Sequence, residues 1–114
     1  MSSISTHVLD TVTGKPAPGV PVRLEKWLSA TEPSEEWKSI ALGATDADGR
    51  CRDLDSDASE GMYRLRFDVQ SYFTHRGRIS IYPEITIQFH CNGEAHYHLP
   101  LLLSDNSYTT YRGS

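Results

Sequence analysis

The sequence predicts an all-β domain, an antiparallel sandwich of seven or eight short strands. Three observations predict it. Apolar and polar side chains alternate in run after run, Gly, Pro, Asn and Asp punctuate those runs, and helical apolar periodicity is nearly absent. The clearest run is "MYRLRFDVQ", where Tyr63, Leu65, Phe67 and Val69 share one face opposite Arg64, Arg66, Asp68 and Gln70.

Taken in order, residues 4–10 form the first strand, closed by the turn-rich "TVTGKPAPG" at 11–19. "GVPVRLEKW" then turns Val20, Val22 and Leu24 inward and Pro21 outward, as suits an edge or a strand start. "SATEPSEEW" (29–37) reads as a polar, acidic loop, and a strand at 38–45 runs into the turn "DADG" (46–49). After the "MYRLRFDVQ" strand, "SYFTHRG" (71–77) loses alternation and ends in Gly77, which predicts one or two helical turns with a glycine stop. "ITIQFHC" groups Ile85, Ile87, Phe89 and Cys91, and the Asn-Gly of "CNGE" (91–94) predicts a hairpin into the next strand, "EAHYHLPLLL" (94–103). A last strand is expected at 107–112. Residues 1–114 carry no repeat, linker or low-complexity tract, so a single domain is expected.

Charge and motifs exclude several classes. Eleven basic against 15 acidic residues give a net charge of -4, with the cations scattered, which argues against a nucleic-acid partner. No run approaches the roughly 20 apolar residues of a membrane helix. "MSSISTHVLD" lacks the charged and apolar regions of a secretory signal, so a cytoplasmic protein is expected. There is no glycine-rich phosphate loop, G-x-S-x-G elbow or HExxH, and "DADGR" lacks the ligand set of a calcium loop. No cofactor is expected. Cys51 and Cys91 read as free thiols on two strands, with a cross-link as the alternative.

The strand at 94–103 has one unusual face. Ala95, Tyr97, Leu99, Leu101 and Leu103 make the core side, but the other side carries His96, His98, Pro100 and Leu102 rather than Lys, Glu or Thr. Such a face is expected to be covered by a ligand or another subunit. Taken singly, the histidines divide. His75 and His90 read as surface residues, His96 as a hydrogen-bonded interface residue, His7 as structural, and His98 as either structural or chemical. Arg50 follows the "DADG" turn, where an arginine is ordinarily solvated, and nothing near Cys51 lowers its pKa toward a nucleophile.

Together, "THVLDTVTGKPAPGVPVRLE" (6–25), "TDADGR" (45–50), "YPEI" (82–85) and "HYHLPLLLSDNSYTTYRGS" (96–114) resemble the transthyretin-related 5-hydroxyisourate hydrolases. The resemblance runs from Ser5 to the last residue and is weakest at 29–40. The "TGKPAPGVPVRL" portion supports the fold alone, whereas "YRGS" combined with "HYH" is specific. Asp105-Asn106 stand where the family more often has aromatic or proline neighbours.

The resemblance implies a transthyretin-like (prealbumin-like) sandwich of two four-stranded sheets with one short helix. It also implies a homotetramer, a dimer of dimers, with active sites where the dimers meet. The implied reaction is the hydrolytic ring opening of 5-hydroxyisourate in urate degradation, a step of purine catabolism. Carried across residue by residue, catalysis is expected from His7, Arg50, His98 and Ser114. Substrate binding is expected from His7, Arg50, Tyr111, Arg112, Gly113 and Ser114. No metal is expected, because neither an acidic nor a cysteine ligand accompanies the histidines. The alternative is a transthyretin-like small-molecule carrier without catalysis, which would need neither His98, Arg50 nor "YRGS".

Overall fold

A computed structural model describes residues 2–31 and 34–113 of the chain. Among them nine strands and one helix follow in order: β1 Ser2–Asp10, β2 Lys15–Pro16, β3 Pro21–Thr31, β4 Ser34–Ala44, β5 Arg50–Ala58, β6 Gly61–Phe67, α1 Val69–His75, β7 Ile85–Cys91, β8 His96–Leu103 and β9 Tyr108–Thr110. One sheet runs β2-β1-β8-β9 with β5 also paired to β1, and the other runs β4-β3-β6-β7. The first sheet thus has five members rather than four, the extra one being the two-residue β2.

Each inward face follows from strand alternation. In β1 the residues Ser2, Ile4, Thr6, Val8 and Asp10 are buried, while Ser3, Ser5, His7 and Leu9 look outward. Ile4, Leu24, Tyr63, Leu65, Phe67 and Leu101 lie fully or almost fully buried between the sheets. Each contributes about 1.5–3 kcal/mol by leaving water. The polar residues that point inward are satisfied: the Thr6 hydroxyl donates to the Leu99 carbonyl at 2.6 Å, and Asp10 accepts from the Tyr72 hydroxyl at 2.8 Å and pairs with Arg78. Among the described residues no buried side-chain nitrogen or oxygen lacks a partner.

Several expectations change. The sandwich is not wholly antiparallel, because β1 and β8 pair in parallel, Ser3 opposite His96 through Asp10 opposite Leu103. The Asn92-Gly93 turn does not close a hairpin. It carries the chain from β7 in one sheet to β8 in the other, and Ala95, expected in the core, is exposed before β8 begins. Most of the predicted 29–37 loop is strand, since β3 and β4 continue as hairpin arms that pair Trp27 with Trp37 and Thr31 with Ser34. Only Glu32 and Pro33 of that stretch lie outside the described residues. A two-stranded arm satisfies its backbone by pairing alone and needs no alternating apolar face.

The strand expected to reach Val69 stops at Phe67. Asp68 there caps α1 by accepting from the Ser71 N–H at 3.2 Å, and Gly77, with φ +64°, follows the helix end as anticipated. Cys51 and Cys91 are both free and buried.

Candidate active site

On the outer face of the five-stranded sheet, three neighbouring strands bring the sequence-predicted residues together. β1 lies between β8 and β5, with Ser5 opposite His98 and His7 opposite both Pro100 and Arg50. Because residues opposite one another in a sheet share a face, His7, Arg50 and His98 all project to the same side.

Arg50 reaches this position through the preceding turn. Asp46 accepts the Asp48 N–H at 2.9 Å and the Arg50 N–H at 3.0 Å, and Gly49 turns with φ +75°. The Gly49 carbonyl accepts the Val8 N–H at 2.7 Å, fastening the turn to β1. A Cβ at residue 49 would lie 2.4 Å from the Val8 carbonyl oxygen, so the close approach needs glycine. The same turn fixes His7, whose Nε2–H donates to the Asp48 carbonyl at 2.8 Å. A carbonyl only accepts, so neutral His7 carries its proton on Nε2 and its lone pair on Nδ1.

Arg50 and His98 line one pocket of about 270 Å³, together with Ser3, Ser5 and Arg52. His98 is half-buried, and its Nδ1 lies 2.8 Å from Ser5 Oγ. Burial, followed by the Arg50 charge and then the neighbouring His7, holds the His98 imidazole below its usual pKa. The ring is therefore neutral near pH 7 and available to take a proton.

The chain end runs antiparallel beside β8. The Thr110 hydroxyl donates to the Pro100 carbonyl at 2.8 Å, and the Gly113 N–H donates to the His98 carbonyl at 2.7 Å. Gly113 thereby lies against the His98 ring, where an added Cβ would be 2.9 Å from Cδ2. Tyr111 is 52% exposed. Arg112 does not join the cluster: its guanidinium stacks 4.6 Å from the Tyr97 ring centre and donates to the His96 carbonyl at 3.0 Å. Ser114 lies outside the described residues.

Sequence reading missed Ser3, Ser5 and Arg52. Its available signal was the period of two in "SSISTH", which places Ser3 and Ser5 on the face of His7. The remaining histidines are peripheral: His75 and His90 are exposed, and exposed His96 bonds Ser3 Oγ at 2.7 Å. Burial, then the Asp46 charge, pushes the Cys51 thiol up and away from a nucleophilic thiolate. Among the described residues no three His, Cys, Asp or Glu side chains converge on a metal position.

A groove of about 340 Å³ on the opposite sheet includes Arg23, Arg66, Asp68 and Glu84 in its lining. Arg66 there pairs with both Glu84 and Glu25, which offsets its charge locally. On the outer face of β5, β1 and β8, Arg50 and Arg52 line a pocket with His98, and none of the ion pairs among the described residues involves either arginine.

A sandwich with this topology and an outward His-Arg pocket defines a transthyretin-like protein equipped for proton-transfer chemistry. The chain belongs to the HIUase/Transthyretin family, whose model matches residues 4–113. It is 44% identical to the mouse (Mus musculus) 5-hydroxyisourate hydrolase over 99% of this chain and 96% of that protein. It is 43% identical to the enzyme of the same name from Salmonella dublin, over 97% of this chain and 80% of the relative. Among solved structures, Klebsiella pneumoniae 5-hydroxyisourate hydrolase superposes with a TM-score of 0.86 at 36% identity, all of both chains being covered. Transthyretin from Sparus aurata superposes with a TM-score of 0.84 at 34% identity, covering 95% of this chain and 93% of that one. The fold is thus shared with 5-hydroxyisourate hydrolase and transthyretin alike, and the site must distinguish them.

Proposed function

We propose that this chain hydrolyses 5-hydroxyisourate to 2-oxo-4-hydroxy-4-carboxy-5-ureidoimidazoline, a step of urate degradation. The observation that carries the reading is the pocket that holds outward-facing Arg50 and His98 together, with His7 beside them and the chain end bonded to the His98 strand. Arg50 binds a ring carbonyl oxygen and stabilises the negative charge that develops on it. His98 takes a proton from water as the water oxygen bonds to that carbonyl carbon. When the ring C–N bond breaks, His98 returns the proton to the departing nitrogen. His7, its tautomer set by Asp48, assists these proton transfers.

Tyr111, Gly113 and Ser114 take part in binding the substrate. Ser114 orients water or substrate through its hydroxyl or the terminal carboxylate. Arg112 contributes by clamping the tail, in keeping with its contacts to Tyr97 and His96. The chemistry calls on these side chains alone, without metal or cofactor.

The assembly is a homotetramer, a dimer of dimers, that covers the pocket face. Tyr111, 52% exposed, and half-buried Leu102 on the same face of β8 as His98 support covering of this face, and among the described residues β7 and β9 each end a sheet with an unpaired edge. A cytoplasmic location agrees with two unpaired, buried cysteines. Among the described residues no helix is long and apolar enough to cross a membrane.

Two variants test the assignment. His98→Asn, and deletion of residues 111–114, should each lower turnover of 5-hydroxyisourate by about 10²–10⁴-fold with the oligomer preserved. A deletion variant with full turnover would remove the tail from the mechanism, and full turnover of His98→Asn would remove the base.

A further inference from the structure

His98 can serve as a base only if its reactive nitrogen is unprotonated and aimed into the pocket. Its Nδ1 is occupied by Ser5 Oγ at 2.8 Å, across the parallel β1–β8 ladder, which leaves Nε2 for the pocket. Among the described residues Ser5 Oγ has no other hydrogen-bond partner, so the hydroxyl is free to serve His98 alone. On the opposite edge of the ring, Gly113 backs Cδ2. The imidazole is thus held at Nδ1 and at the carbon next to Nε2.

The groups facing His98 are cationic or neutral. Arg50 and Arg52 come from β5, His7 and Ser5 from β1, and no carboxylate side chain among the described residues lines the pocket. The partner of Nδ1 is therefore an uncharged hydroxyl rather than the carboxylate of a triad. It orients the ring without the charge that would favour the imidazolium.

We propose that Ser5 is the positioning residue of the reaction: its Oγ accepts the Nδ1–H of His98 and so holds the Nε2 lone pair toward the attacking water. The neutral base carries its hydrogen on Nδ1, and the imidazolium carries one on each nitrogen, so Ser5 Oγ is the acceptor in both states. Nothing at Nδ1 has to rearrange while the proton is received on Nε2 from water and delivered from Nε2 to the departing ring nitrogen. One rung along the ladder, Ser3 and His96 repeat the same bond at 2.7 Å, so β-strand spacing alone creates such pairs. What distinguishes Ser5 and His98 is that their pair lines the pocket beside Arg50.

The inference rests on the hydrolase reading, and its test separates the two. Protein labelled with ¹⁵N in the histidine rings reports the His98 tautomer by nuclear magnetic resonance, whether or not the chain turns over substrate. Wild-type His98 should be the Nδ1–H form. Ser5→Ala should shift it toward Nε2–H and lower kcat by about 10²-fold, the cost of misplacing a catalytic group by roughly 1 Å, with KM changed less than about two-fold. Ser5→Thr, which keeps the hydroxyl, should restore both tautomer and kcat. An unchanged Nδ1–H tautomer in Ser5→Ala, or an unchanged kcat, would overturn the proposal. Undiminished activity in His98→Asn would instead count against the hydrolase mechanism itself.

Discussion

Replacing Gly113 by alanine places one methyl group where the tail meets the proposed base. The new Cβ would lie 2.9 Å from His98 Cδ2 and 3.4 Å from both the His98 carbonyl oxygen and Pro100 Cδ. Carbon atoms rest at about 3.5–4.0 Å, so the ring or the tail must yield by roughly 0.6 Å or more. If the ring yields, it is driven toward Ser5 and must tilt to relieve the 2.8 Å contact, which spoils that hydrogen bond at a cost of about 1 kcal/mol. If the tail yields, the 2.7 Å bond from Gly113 to the His98 carbonyl is lost, with a similar cost in stability. Either displacement moves a group that must sit within a few tenths of an ångström of its working position. A loss of roughly 10–10² in kcat is therefore expected. Steady-state turnover of 5-hydroxyisourate, measured beside thermal melting, should show this fall with Tm lowered by only a few degrees, about 4 °C per kcal/mol. A kcat within two-fold of wild type would refute the idea that Gly113 is required by the closeness of tail and base.

Two further outcomes follow from charge. Because burial, the Arg50 charge and the neighbouring His7 depress the His98 pKa, its titration followed by nuclear magnetic resonance should have a midpoint below the ordinary value of about 6.5. Arg50→Gln should raise that midpoint, and an unchanged midpoint would separate the two groups. In the core, burial alone would push the Asp10 carboxyl up, but hydrogen bonds from Arg78, Tyr72 and Thr13 and the Arg78 charge outweigh it and hold the group below its usual pKa. The folded chain then binds fewer protons than the unfolded chain near pH 4, so this stabilisation is whole above about pH 4 and is lost as pH falls below it. Asp10→Asn should cost about 1–3 kcal/mol at pH 7, because it leaves Arg78 with Asp105 as its one carboxylate, and the gap to wild type should narrow in acid. A gap independent of pH would contradict the assigned ion pair.

Legibility in the sequence followed the physics of each segment. β6 and β7 were readable because one face of each meets the core and the other meets water, so alternation was strict. β5 was not, because bulges against β1 space its buried residues Cys51, Leu54 and Ala58 three and four apart. The parallel pairing of β1 with β8 joins residues more than 90 apart in sequence, and no local pattern encodes it. Asn92-Gly93 supplied the expected turn but not the choice of sheet on its far side. In the site, His7, Arg50 and His98 emerged from motif resemblance, and the sheet register brought them together. Ser5 was silent because a single serine on an outer face looks like solvent-facing filler until the opposite strand is known. Arg112 was legible as part of "YRGS" but not its destination, which depends on the Tyr97 ring at the sandwich edge. Asp105, which departs from the resemblance, pairs with Arg78 and links the β8–β9 turn to the segment after α1.

The central claim is that this sandwich is an enzyme and not a carrier. The measurement that tests it most directly generates 5-hydroxyisourate in solution from urate and uricase and follows the ultraviolet decay of that intermediate after the protein is added. The site described above predicts a decay rate that rises in proportion to protein concentration and falls to background in His98→Asn. A decay no faster than the spontaneous reaction at any protein concentration would contradict it.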